Sequence, residues 1–414
     1  MQQKTLWTKN FKLITITTIL NAIGGEAIMF PLSLVVFEET QSTLLSSILF
    51  ISGFLPDILL SMLVAPFIDK GNKKRWVISM DVCFVLIYVF MGLWLSKNSF
   101  KYEVFLMFSL VTATLSVFYR LNFDSWYPDL IGVGFEQKGF AVANTIYPVT
   151  MMIMSPMAAF LYKTVGLSNL FFFNAFLMLV GIVLQSFISY THITDKKVGN
   201  LKEYFNDIKE GLLYFKNEIG LRNIYSYVAV SNGTATGKEL LVQAYFQTAS
   251  NLNVVMLGFM NTAEMIGRTL GGFFQYKFEV PVKKRFSFTK MVYIVYDTLD
   301  AALLYLPFPL MLVAKFICGA LGMNSANIRE TAVQSYLPPT IRARVKAVMT
   351  VLFCIGMLVF QLLTGIIGEY LDYRLSIVVL SSITLIAIYF LIIRPGEVNR
   401  RIYESVRKDE TKTE

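Results

Sequence analysis

Residues 43–96 read TLLSSILFISGFLPDILLSMLVAPFIDKGNKKRWVISMDVCFVLIYVFMGLWLS. Two apolar runs, 43–67 and 76–96, flank a loop that carries Lys70, Lys73, Lys74 and Arg75. Each run has the roughly 20 apolar residues that a helix needs to cross a bilayer. The basic loop sets the side on which both runs begin and end, because Lys and Arg are retained in the cytoplasm. The same alternation continues outward. Further apolar runs lie at 11–37, 103–128, 139–162, 168–190, 221–247, 252–276, 286–306, 308–334, 345–368 and 374–394. The expectation is an all-α membrane protein of twelve transmembrane helices.

Composition excludes the competing classes. The chain has 414 residues, of which 55% are hydrophobic and 16% charged, with a mean hydropathy of +0.57. A soluble chain carries roughly 25% charge, so a cytosolic enzyme, a disordered chain and a nucleic-acid-binding protein are all excluded. Cys83, Cys318 and Cys354 are scattered through apolar runs, which gives neither a disulfide framework nor a zinc site. The one histidine, His192, rules out a His-rich metal centre or a His-based triad. No Walker-type phosphate loop is present. No enzyme activity, metal or cofactor is therefore expected. The first apolar run follows Lys4, Lys9 and Lys12, is long, and contains Glu26, so it reads as a retained helix rather than a signal peptide.

Basic residues recur at every second loop. They are Lys70 to Arg75 after the second run, Lys196 to Arg222 after the sixth, Lys277 to Arg285 after the eighth, Arg342 to Lys346 after the tenth, and Arg400 to Lys408 in the tail. The intervening loops are poor in bases, for example EETQS at 38–42 and TASN at 248–251. Counted over twelve spans, every basic loop falls on one side, which places both termini in the cytoplasm.

The longest polar stretch, 191–221, contains LKEYFNDIKEGLLYF, with Leu201, Phe205, Ile208, Leu212 and Phe215 at helical spacing. It reads either as an amphipathic helix on the membrane interface or as a tether. The expected organisation is an N-terminal six-helix bundle (1–190), this linker (191–220), a C-terminal six-helix bundle (221–394) and a tail (395–414). The halves echo each other. SWYPDLIGVGFEQKGFAVANT at 125–145 and QSYLPPTIRARVKAVMT at 334–350 each run aromatic, Pro, charged turn, Lys, small-residue helix start. Such duplication is the mark of transporters that hold substrate near the midplane, between two repeats.

Residues 65–74, APFIDKGNKK, resemble the hallmark loop of the major facilitator superfamily, with Asp69, Lys70, Lys73 and Lys74 at the charged positions. Ala65 stands for its first glycine and Asn72 for its second; Asn visits the left-handed region readily. Within that superfamily the chain is similar to the bacterial macrolide-efflux and siderophore-exporter branch. The segments that carry this are Gly53-Phe54-Leu55-Pro56, Asp81, and Ser155-Pro156 followed by Met, Ala and Ala, which is similar to an antiporter motif. The resemblance implies the major facilitator fold with two pseudo-symmetric bundles. It also implies a latch at Asp69, Lys70, Lys73, Lys74 and Asp81, a bend at Pro156, and export of a small, partly apolar molecule driven by protons.

An ionisable group at mid-bilayer costs about 2.5–3.5 kcal/mol, so it faces water, pairs or titrates. Glu26, in NAIGGEAIMFPL, has no partner within one helical turn. It is a candidate for binding a proton or a cationic substrate, the alternative being a base on another helix. Asp57 follows Pro56 and is a candidate for coupling or a structural hydrogen bond. Arg120 with Asp124, and Glu264 with Arg268, are four apart and share a helix face. Each is either a self-neutralised pair or a switch. The resemblance implies that the span carrying Asp297 and Asp300 is peripheral. Lys238 and Glu239 interrupt SNGTATGKELL, where Gly233 and Gly237 suggest a flexible segment. Tyr127 and Tyr147 are candidates to line a cavity for apolar or cationic ligands, or else to pack.

The function expected is a secondary active exporter of a drug-like or siderophore-like molecule, working by alternating access with proton antiport. The expected partners are a small-molecule substrate, protons and the lipid bilayer, in a monomer of the bacterial-type cytoplasmic membrane. A nutrient importer or facilitator, and a lipid or lysolipid translocator, remain alternatives on the same scaffold.

Overall fold

A computed structural model describes residues 5–68, 72–132, 135–189, 201–278, 280–338 and 341–405. Asp69 and Lys70 lie outside the described residues, as do Lys196 and Lys197. The elements run α1 (Lys9–Thr40), α2 (Thr43–Ile68), α3 (Lys73–Lys97), α4 (Tyr102–Trp126), α5 (Glu136–Ser186), α6 (Leu201–Asn217), α7 (Ile219–Thr248), α8 (Val254–Lys277), α9 (Arg285–Ala302), α10 (Phe308–Tyr336), α11 (Arg342–Tyr370), α12 (Tyr373–Ala387) and α13 (Gly396–Tyr403). Among the described residues there are no strands. A short π-helical turn, Ile388–Ile393, continues α12, and Asn399 Nδ2 donates to the carbonyls of Leu391 and Ile392 at its end.

Local chemistry sets the helix ends. Thr8 caps α1 by accepting from the Phe11 N–H, and Asn72 caps α3 by accepting from the Arg75 N–H. Asn72 is extended, with φ −72° and ψ 103°, so its role is capping rather than the left-handed turn expected of it. α5 is two helices that meet at Gly166, whose φ of 79° suits glycine. That single residue separates the fifth and sixth apolar runs.

Among the described residues, eight helices are long and apolar enough to cross a membrane. They include α1 to α5 and α10 to α12, with α5 counted once. α7, α8 and α9 coincide with the next three apolar runs but carry charged residues along their length, which lowers their hydropathy. Exposed apolar side chains such as Leu86 and Phe90 on α3, and Phe176 and Val183 on α5, supply the greasy surface that lipid requires. The protein is thus an all-α, multi-pass membrane protein.

The chain divides into two compact units, residues 1–199 with 246–262, and residues 200–245 with 263–414. In the first unit α1 packs on α5, α3 on α5, and α2 on α4. A Cβ at Gly24 would run into the side chain of Asn174 on α5, and one at Gly92 would meet the ring of Phe172. Ser52 on α2 donates to Ser109 on α4 at 2.8 Å. The turn from α7 to α8 joins this unit: Gln247 Nε2 donates to the Leu34 carbonyl at 2.9 Å, and Thr262 Oγ1 to the Met152 carbonyl at 2.7 Å.

The second unit repeats the pairing scheme. α7 packs on α11 with Gly233 against the Gly356 backbone and Gly237 against Thr364. α8 packs on α10 with Gly267 against the Phe316 carbonyl and Gly319 against that of Glu264. α9 packs on α10 and α12. The spacings Gly233-xxx-Gly237 and Gly267-xxx-Gly271 are small-residue stripes of the kind that bring membrane helices into backbone contact. α7 is therefore one uninterrupted helix, and its glycines serve close packing rather than the flexible break expected from sequence. α6 docks on α11: Gly211 meets the Arg344 carbonyl, Glu210 pairs with Arg344, and Phe215 is buried, while Leu212 and Leu213 stay exposed.

Candidate functional site

In the first unit the acidic side chains divide into unpaired and paired groups. Glu26 is half-buried near the middle of α1 and forms no hydrogen bond or ion pair among the described residues. Gly24 and Gly25 play separate parts beside it. Gly24 lets Asn174 approach, whereas nothing lies within 4 Å of a Cβ at Gly25. Tyr147, on α5, is within electrostatic reach of Glu26. On α4 the Tyr119 hydroxyl accepts from Asn21 Nδ2 of α1 at 3.3 Å.

Asp57 on α2 pairs with Arg120 on α4. The side chains are 44% and 50% exposed, so solvent screens the pair. Asp124 lies near Arg120 and is exposed, but the guanidinium is committed to Asp57. The four-residue spacing of Arg120 and Asp124 did not decide the pairing; the α2–α4 contact did. Tyr127 is buried, stacks on Phe123 at a centroid distance of 5.6 Å, and donates to the Gly139 carbonyl at 3.0 Å. The structure places it in an aromatic core.

The latch residues tie helix ends together. Lys73 Nζ donates to the Ser125 carbonyl at 2.8 Å and to Asp129 at 2.9 Å. Lys74 Nζ donates to the carbonyls of Ser186 and Ile188 at 2.8 and 2.7 Å. Two ammonium groups thus satisfy the C-terminal carbonyls of α4 and α5, where the helix dipole favours cations. Asp81 is buried on α3 and accepts from Gln185 Nε2 at 2.8 Å, while its Oδ1 is buried without a partner. Pro156 sits inside α5, and its backbone abuts Gly258 of α8.

The second unit holds a network that sequence reasoning saw only in fragments. Lys238 Nζ lies 3.0 Å from Asp297 Oδ1 and 2.8 Å from Asp300 Oδ2, with lysine and Asp297 side chains each 3% exposed. Lys315 Nζ lies 3.3 Å from Asp300 and 3.5 Å from Glu264. Arg268 reaches Glu264 Oε1 through Nη2 at 2.6 Å and Nε at 3.1 Å. Only this last pair was legible as an i,i+4 spacing. Asp297 and Asp300, expected on a peripheral span, are buried at the centre of the network because α9 packs on both α10 and α12. No group of three or more metal-ligating side chains occurs among the described residues.

Neither family models nor curated protein sequences match the chain. Solved structures do. A variant of nucleoside transporter NupG matches with a TM-score of 0.69 at 12% identity, over 92% of this chain and 98% of that one. Peptide transporter POT in complex with alafosfalin matches with a TM-score of 0.71 at 10% identity, over 96% and 97%. A bacterial homologue of the human lysosomal transporter Spinster, inward-facing and unoccupied, matches with a TM-score of 0.64 at 14% identity, over 99% and 100%. At these identities the likeness shows the fold alone, and the fold is the one that these transporter structures share.

Proposed function

We propose that the chain is a secondary active transporter that exports a small, partly apolar molecule by proton antiport. Its six-helix halves, residues 1–190 and 221–394, alternate access, with 191–220 as linker and 395–414 as tail. The observation that carries the coupling is Glu26: a half-buried carboxyl midway along a membrane helix, unpaired among the described residues. A fixed ion pair has no need of a proton, whereas an unpaired carboxyl in this setting binds and releases one at a modest electrostatic cost. A proton moving inward supplies about 2.3 kcal/mol per charge per 100 mV, which is enough to drive uphill export. Asp57, Arg120 and Asp124 in the first unit, and Glu264 and Arg268 in the second, are proposed to respond to that step. The fold supports a transporter, and the named neighbours for nucleosides and peptides support a small-molecule cargo. The setting proposed is a monomer in the bacterial cytoplasmic membrane, both termini inside.

The test is transport by the purified chain in proteoliposomes under an imposed pH gradient, with substrate chosen by a thermal-shift ligand screen. Glu26→Gln is expected to abolish pH-driven transport while its melting temperature stays near that of the parent. Unchanged transport in that variant removes Glu26 as the coupling group.

A further inference from the structure

The charged side chains gathered around Lys238 and Lys315 do not balance. Glu239, Glu264, Asp297 and Asp300 supply four carboxylates, and Lys238, Arg268 and Lys315 supply three cations. One negative charge is in excess. The pairing shows where it falls. Lys238 spends its donors on Asp297, Asp300 and Ser381, the last at 3.4 Å. Lys315 is shared by Asp300 and Glu264, and Arg268 is held by Glu264. Glu239, on α7, forms no hydrogen bond or ion pair among the described residues. Glu264, Lys315, Arg268 and Asp300 all lie within its electrostatic reach. Tyr296 of α9 and Cys318 of α10 belong to the same cluster, within reach of Glu264, Asp300 and Lys315, and Arg329 of α10 pairs with Glu330 beside it. Nor does Lys238 absorb the surplus fully, since Asp297 Oδ2 is buried without a partner.

Glu239 also differs from its neighbours in access. Lys238 and Leu240 on either side are buried, whereas Glu239 is exposed. A carboxylate deep in a membrane helix does not face lipid, because the cost is too high; it faces the interior or water. Glu239 is thus the accessible acidic residue beside Lys238, whereas Asp297 and Asp300 are enclosed.

We propose that Glu239 is the acceptor for one positive charge in the second unit, supplied by an organic cation or by a proton. Binding neutralises the surplus carboxylate while every existing ion pair stays intact. The site is separate from Glu26. It rests on the transport reading only for its physiological use, and its test needs no transport.

The experiment is equilibrium binding of tetraphenylphosphonium to the purified full chain in detergent, at about pH 8, where ordinary carboxylates are ionised. In Glu239→Gln the Kd is expected to rise about tenfold or more, in line with the loss of one charge-assisted contact, while Glu239→Asp retains binding. At about pH 5 the affinity of the parent chain is expected to fall towards that of Glu239→Gln, because protons compete for the same carboxylate. Infrared absorption of protonated carboxyl groups distinguishes the two sources. Equal cation binding in both chains, together with loss of a pH-dependent carboxyl band in Glu239→Gln, assigns the charge to a proton. If neither the affinity nor the band responds to Glu239→Gln, the proposal falls. Glu239→Asp, with its melting temperature, separates this from a failure to fold.

Discussion

Lys238 and Arg120 are both ion-paired cations in membrane helices, and they predict opposite outcomes. Lys238 is enclosed with Asp297 and Asp300. Removing it strands two carboxylates in a low-dielectric interior, where breaking a buried pair costs about 3–5 kcal/mol. Lys238→Met is expected to melt at a clearly lower temperature in detergent, and adding Asp297→Asn to it should recover part of the loss. Full additivity of the two substitutions would show that they are not coupled. The Asp57–Arg120 pair is about half exposed, where an ion pair is worth no more than about 1 kcal/mol. Asp57→Asn should therefore leave thermal stability nearly unchanged, and any collapse of transport in that variant reports on function rather than folding.

Glycines decide how closely the helices of each unit approach. At Gly233 a Cβ would meet the backbone of Gly356, which cannot swing aside as a side-chain tip can. Gly233→Ala is thus expected to push α7 from α11 at a cost of about 1–3 kcal/mol, the usual range for overpacking. Gly25→Ala is the control. Open space surrounds that position on α1, so the better helix former should be neutral or stabilising by up to about 1 kcal/mol. Melting temperatures of the two variants check the contrast. The positions of these helices were legible from their apolar runs, and the α5 break from the gap around Gly166. The job of each glycine was not. SNGTATGKELL reads equally as a flexible break or as a packing stripe, because Gly356, which settles the matter, is far along the chain. The aromatic Tyr127 is a parallel case: its type suits a cavity wall or a core, and only its bond to the Gly139 carbonyl separates them.

Across the whole molecule, sequence identified nearly all the membrane charges but not their partners. Glu264 and Arg268 pair along one helix and were readable; Asp57 with Arg120, and Lys238 with Asp297 and Asp300, pair across helices and were not. What does extend to the whole chain is the pattern of basic loops, and it makes a prediction about sidedness. If the second unit repeats the first, the start of α3 and the start of α9 occupy equivalent places and face the same compartment. Both carry clustered bases, Lys73 to Arg75 and Lys283 to Arg285, and the positive-inside rule assigns both to the cytoplasm. Arg75 and Lys284 are exposed, and neither is among the bases that hold the helix ends, so a cysteine at each disturbs little. The chain's own thiols, Cys83, Cys318 and Cys354, form no disulfide among the described residues and must first be replaced. Arg75→Cys and Lys284→Cys, each in that background, should resist a membrane-impermeant thiol reagent applied outside intact cells. Both should react once the cytoplasmic face is opened in inverted vesicles. Labelling of the two positions from opposite faces would break the equivalence of the halves, and with it the alternating-access reading that depends on two matched units.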